Sequence, residues 1–168
     1  VEKNKGKKKD QKDLNIILGK EQFDRFCAWL NGTEVERARA LFVISPVPVI
    51  HWVEGLVNFA DLGESKDDFM DEWGHETNWW ERNQLLETVF KRINATGKKL
   101  VFLSGDVHSA SAFKLRHRSY PAASIHQVTS SAISRKPAPK LSMLGISSSG
   151  AMDGYADKNG SLVPCERL

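Results

Sequence analysis

Apolar residues recur along this chain with two different periods. In LGKEQFDRFCAWLNG (18–32), Phe23, Phe26, Ala28, Trp29 and Leu30 return at helical intervals, and Asn31-Gly32 stops the pattern. The spacing predicts an amphipathic helix of about three turns. ALFVIS (40–45) is a short apolar run rich in β-branched and aromatic residues, the pattern of a buried strand, and PVPV then breaks regularity. Residues 53–72 are acidic and read as a loop with one short helix. NWWERNQLLETVFKRINATG (78–97) is the clearest element: Trp79, Leu85, Leu86, Val89, Phe90 and Ile93 form one stripe, and Gly97 stands where a helix should end.

Beyond Gly97 the period falls to two. KKLVFLSGD (98–106) predicts a strand. ASAFKLRHR (110–118) alternates, with Phe113, Leu115 and His117 opposite Ala112, Lys114 and Arg116. ASIHQVTSSAIS (123–134) predicts a third strand of this group, and from Arg135 onward the chain is rich in Ser, Gly, Pro and Ala, the composition of loops with short strands. Helix, strand, helix and three strands make a mixed α/β domain, its early strands parallel across the connecting helix.

The length of 168 residues suits about one domain, and 40% hydrophobic with 27% charged residues is ordinary for a globular protein. The longest apolar run, Leu41–Ile50, holds two prolines and a serine and falls short of the roughly 20 residues a span requires, so no membrane span is expected. The net charge of +3 resides in residues 1–13, six lysines against Glu2, Asp10 and Asp13. This lysine-rich segment reads as a flexible, solvated lead-in. With no aromatic residue between its lysines, a nucleic-acid partner is not expected. The chain begins at Val1, which suits a processed or trimmed N-terminus. Cys27 reads as a small core residue. Cys27 and Cys165 have no metal-knuckle spacing, and three Asn-x-Ser/Thr triplets support secretion only faintly.

The chemistry concentrates at Asp106 and His108, two residues apart at the end of a predicted strand and just after Gly105. Continued extended backbone would turn both side chains to one side, where an oxygen and a nitrogen suit Zn, Fe or Mn. An Asp-x-His triplet is common by composition alone, and capping the strand is the plainer alternative. Asp71, Trp73 and His75 could line a cleft, or the loop could simply pack through Trp73. Arg82 could bind phosphate, although Glu81-Arg82 at a helix start reads more readily as a structural ion pair or an exposed face. His51 and His126 read as core or surface histidines before ligands, and Ser104 and Ser109 flank the Asp-His pair.

LVFLSGDVHSASAFKL (100–115) resembles the late Gly-Asp-x-His motif of PhoD-like (alkaline phosphatase D) metallophosphatases, in the calcineurin-like phosphoesterase superfamily. ILGKEQFDRFCAWL, ALFVISPVPV, DEWGHETNWWERNQLLETVF and HQVTSSAIS agree with it in order, over about residues 16–134. The resemblance implies a four-layer αββα sandwich, with a mixed sheet and flanking helices. It implies hydrolysis of phosphomonoesters or phosphodiesters with divalent or trivalent metal ions (Fe, Zn, Mn or Ca). It makes Asp106 and His108 catalytic metal ligands; Asp71 and Arg82 are the candidate substrate residues.

That family's other ligands lie in N-terminal motifs of the Gly-Asp-x-x-Tyr and Asp-Asp-His types, and these 168 residues contain neither. Residues 14–168 are therefore expected to be the C-terminal half of such a domain. The N-terminal half would be its partner, and the chain alone would be inactive. The alternative is a catalytically incomplete relative that serves as a binding or structural domain. The residues do not determine the compartment; the resemblance points to a secreted or membrane-associated protein.

Overall fold

The computed structural model describes residues 16–50, 73, 78–106, 110–131 and 166–167, and of residues 106, 166 and 167 only the backbone. The described elements are α1 (Gly19–Leu30), α2 (Thr33–Arg37), β1 (Ala40–Ser45), α3 (Trp79–Thr96), β2 (Lys99–Asp106), β3 (Ser111–His117), β4 (Tyr120–Ser131) and β5 (Glu166–Arg167). The strands form one five-stranded mixed sheet in the order β1-β2-β4-β3-β5. β1 and β4 flank β2 and run parallel to it, whereas β3 is antiparallel to both β4 and β5. The α/β class and the parallel β1–β2 pair agree with the periodicity. The lysine-rich segment 1–13, His51, the acidic stretch 53–72, His75, Ser109 and the region from Arg135 to Cys165 lie outside the described residues.

One face of the sheet is covered. Leu41, Leu100, Phe102, Phe113, Leu115 and Ile125 point to it, and α3 packs Leu85, Leu86, Val89, Phe90 and Ile93 against them in a single core. All five of these α3 residues were expected on the stripe. The helix ends as its glycine predicts. Gly97 takes the left-handed conformation at φ +66° and donates its N–H to the carbonyl of Ile93.

α1 is held differently. Of its apolar stripe only Leu30 is fully buried; Phe23 and Phe26 pack on the core's edge and Trp29 is exposed. Cys27, expected in the core, is half-buried, and that burial pushes its thiol pKa up, with the Asp24 carboxylate adding to the effect. No side chain of α1 caps its own start. Glu81 of α3 does so instead, accepting from the N–H groups of Ile17, Leu18 and Gly19 at 2.7, 3.1 and 2.8 Å. At the other end Arg92 Nε donates to the carbonyl of Leu30 at 3.1 Å. Glu81 and Arg92 are about three helical turns apart and so share one face of α3. α1 therefore lies parallel to α3, with a carboxylate at its positive end and a guanidinium at its negative end.

The expectation that Glu81-Arg82 forms an exposed face is corrected here. Both residues are buried, because they sit where α3 meets α1 and Trp73 rather than on a free helix surface.

Among the described residues nothing covers the opposite sheet face. Phe42 and Ile44 of β1 are 61% and 82% exposed, and Val128 of β4 is 43% exposed. The register places Phe42 beside Val101 and Ile44 beside Leu103, with Leu103 beside Val128, so these residues make one contiguous apolar surface.

A candidate metal centre at the end of β2

β2 is an interior strand with parallel neighbours on both sides, and in such sheets ligands gather at the carboxyl ends of the strands. Its last residues run Ser104, Gly105, Asp106, opposite Thr129, Ser130 and Ser131 of β4. Asp106 thus closes the strand, as expected, although its side chain is outside the description. His108 and Asp71 lie wholly outside the described residues. The structure does not speak to their roles as ligand or substrate residues.

Several described groups surround the backbone of that strand end. Leaving β1, the segment Pro46–Ile50 forms a strap. Ser45 Oγ donates to the carbonyl of Val47 at 2.6 Å, and Val49 and Ile50 are buried. A Cβ on Gly105 would stand 4.0 Å from the carbonyl oxygen of Pro46, so the strap starts beside Gly105 as β1 ends. It is tied down on β4. Gln127, fully buried, accepts from the Ile50 N–H at 2.8 Å and donates to the Ile50 carbonyl at 2.7 Å. Its second N–H points to Thr129 Oγ1 at 3.3 Å, and Thr129 Oγ1 lies 2.9 Å from Ser104 Oγ. Ser104, expected as a flanking partner of the Asp-His pair, thus has Thr129 as its observed partner.

Sequence reasoning passed over Gln127 and Thr129. Their signal is visible in retrospect: two polar residues in inward-facing positions of a strand whose other inward residues, Ala123 and Ile125, are apolar.

Arg82 is buried at the start of α3. Its Nη1 donates to the carbonyl of Trp73 at 3.3 Å, and its guanidinium lies 5.4 Å from the centroid of the Trp79 ring. Trp73 is itself buried, in keeping with the packed-loop reading of its neighbourhood.

Another group of titratable residues lies elsewhere. Buried His117, at the far end of β3, accepts from the Ser119 N–H on Nδ1 at 3.0 Å and sets Nε2 3.1 Å from Glu87 of α3. Tyr120 donates to the same carboxylate, which pushes the phenol pKa up. Tyr120 opens β4 and Ser131 closes it, so this cluster is a full strand length from Asp106. His126 is half-buried in mid-strand on the bare face, beside Lys114 and Val101.

Among the described residues no three His, Cys, Asp or Glu side chains converge as a metal-holding group. One carboxylate and one imidazole, as at Asp106 and His108, would make two of the six or so ligands that a two-metal centre uses.

Comparison with known families matches residues 51–162, two thirds of the chain, to PhoD related phosphatases. The chain belongs to that family. The match takes in α3, β2, β3 and β4 together with the Gly105-Asp106-x-His108 motif, and leaves α1, α2 and β1 outside it. Comparisons with curated proteins and with solved structures find no match. No described helix of this PhoD-related chain is long and apolar enough to cross a membrane.

Proposed function

We propose that this chain is the C-terminal part of a metal-dependent phosphoesterase that hydrolyses phosphomonoesters or phosphodiesters. The observation that carries the reading is the Gly105-Asp106-x-His108 motif at the carboxyl end of a central parallel strand, inside the segment matched to PhoD related phosphatases. Asp106 and His108 would hold metal through a carboxylate oxygen and an imidazole nitrogen. The other imidazole nitrogen would donate to a partner that orients the ring. Bound Fe, Zn, Mn or Ca would polarise the phosphoryl oxygens and lower the pKa of a bound water. Asp71 and Arg82 belong to the substrate side of this proposal. Arg82 bonds to the backbone of Trp73, two residues from Asp71, so both fall on one connected part of the chain.

The remaining ligands would come from an N-terminal half. The bare sheet face supports this part of the reading. β1 and β2 are apolar on both faces, the pattern of strands covered from both sides, and the described residues cover only one. A second sheet on Phe42, Ile44 and Val128 would complete a four-layer sandwich.

Elemental analysis of the full-length protein tests the metal reading. Bound metal that is lost in the Asp106→Asn, His108→Ala double variant is expected, and metal-free wild type would sink the proposal. If metal is bound but generic phosphomonoesters and diesters are not turned over, the chain is a binding relative rather than an enzyme.

A further inference from the structure

We infer that Gln127 is a positioning residue for the strand end that carries Asp106. It pins the strap Pro46–Ile50 to β4, and through Thr129 and Ser104 it ties β4 to the last residues of β2. This deepens the phosphoesterase reading and rests on it for the identity of the site.

The chemistry of the carboxamide is the first support. A glutamine side chain offers one acceptor and two donors. At Gln127 the acceptor takes the Ile50 N–H, one donor serves the Ile50 carbonyl, and the other points to Thr129. Both backbone groups of Ile50 are therefore satisfied by one side chain, as a neighbouring strand would satisfy them. The Thr129 hydroxyl, besides accepting from Gln127, shares a hydrogen bond with Ser104 Oγ in which either oxygen can donate. The chain of bonds runs from the strap, through β4, to a residue two positions before Asp106.

Location is the second support. Burying an amide without partners is costly, and an apolar residue at 127 would leave the N–H and C=O of buried Ile50 unpaired. The tie spans 77 residues and meets β4 beside Phe102, from where Thr129 and Ser104 carry it toward the strand end that bears Asp106. The strap begins at Pro46, the continuation of β1 beside Gly105, so loosening it would free the neighbour of the backbone that delivers Asp106.

Two variants of the full-length protein separate the steps. Gln127→Met keeps length and apolar volume but breaks the whole relay. Thr129→Val breaks only its second link. Val89→Ala, in the α3 core, serves as a control for general destabilisation. Amide hydrogen exchange is read at 46–50 and 104–106, and Mn²⁺ affinity is measured by competition with a chromophoric chelator. Gln127→Met should speed exchange in both segments by about tenfold. It should also weaken Mn²⁺ binding by about tenfold, the usual cost of losing an outer support of a metal ligand. Thr129→Val should speed exchange at 104–106 and leave 46–50 protected, and Val89→Ala should leave Mn²⁺ affinity unchanged.

Unchanged exchange at 104–106 in the glutamine variant overturns the inference, as does a Val89→Ala control that weakens Mn²⁺ as much. If Gln127→Met does not fold, the threonine variant decides by the same exchange criterion. Wild type that binds no Mn²⁺ removes the metal reading alone, and the exchange contrast still judges the positioning role.

Discussion

The two faces of this sheet carry similar side chains and have different fates. Leu41 of β1 and Ile125 of β4 are buried in the core with α3, while Phe42 and Ile44 of β1 and Val128 of β4 are open. The ties that Glu81, Glu87 and Arg92 make belong to the covered side. Glu81 and Arg92 hold α1 to α3, and Glu87 holds Tyr120 and His117 to α3. What differs is not hydrophobicity but whether another element arrives with complementary polar groups for its own ends. Contiguous exposed apolar residues mark interaction surfaces, and the described residues leave these open.

The comparison can be broken most directly by truncation in the covered core. Phe102→Ala should cost about 3–5 kcal/mol of unfolding free energy, read by urea denaturation, because its cavity lies beneath a rigid helix. A smaller loss would mean that the covered face is loosely packed.

Next comes the cap. Glu81→Gln leaves the shape but removes a charged acceptor from three N–H groups, and should lose about 2 kcal/mol. Exchange should rise first at residues 17–19, and equal protection there would show that α1 does not depend on α3.

Tyr120 sharpens the picture through pH. Its phenol pKa is raised in the folded state, first by the hydrogen bond to Glu87 and then by burial and the carboxylate charge. The neutral phenol is thus favoured on folding, and the stabilisation is present below the unfolded pKa of about 10 and lost as pH rises through the higher folded value. Melting temperatures of wild type and Tyr120→Phe should differ at pH 8 and converge once the pH has risen past the raised phenol pKa. A gap that persists in alkali would assign the effect to packing.

The smallest effect belongs to the bare face. Ile44→Thr should change the stability of this chain by less than about 0.5 kcal/mol. In the full-length protein the same change should cost about 1 kcal/mol or more if a second sheet covers it. Identical values in both would argue against a four-layer arrangement.

Much of the fold was legible because it is local. The α3 stripe, its glycine stop, the alternation of Phe113, Leu115 and His117, and the parallel β1–β2 pair all follow from periodicity within short windows. The insertion of β4 between β2 and β3 was not legible, because pairing partners are chosen among strands of similar pattern by the path of the intervening chain. α1 was read as a packed amphipathic helix, yet its place depends on two α3 residues whose targets lie more than sixty positions away. At the site, the sequence marked Asp106 and His108 as unusual residues to end a strand. It did not mark Gln127, which looks like any polar strand residue until Ile50 is seen beside it.

Residue order alone was enough to establish an α/β chain of the PhoD-related kind, with a carboxylate and an imidazole at the end of an apolar strand, because these are matters of spacing and type. Tertiary structure decided which sheet face is covered, which side chains cap α1, and how the strap is tied to β4. Those outcomes depend on which backbone groups would otherwise be left unpaired on burial, a condition that exists only once distant parts of the chain have met.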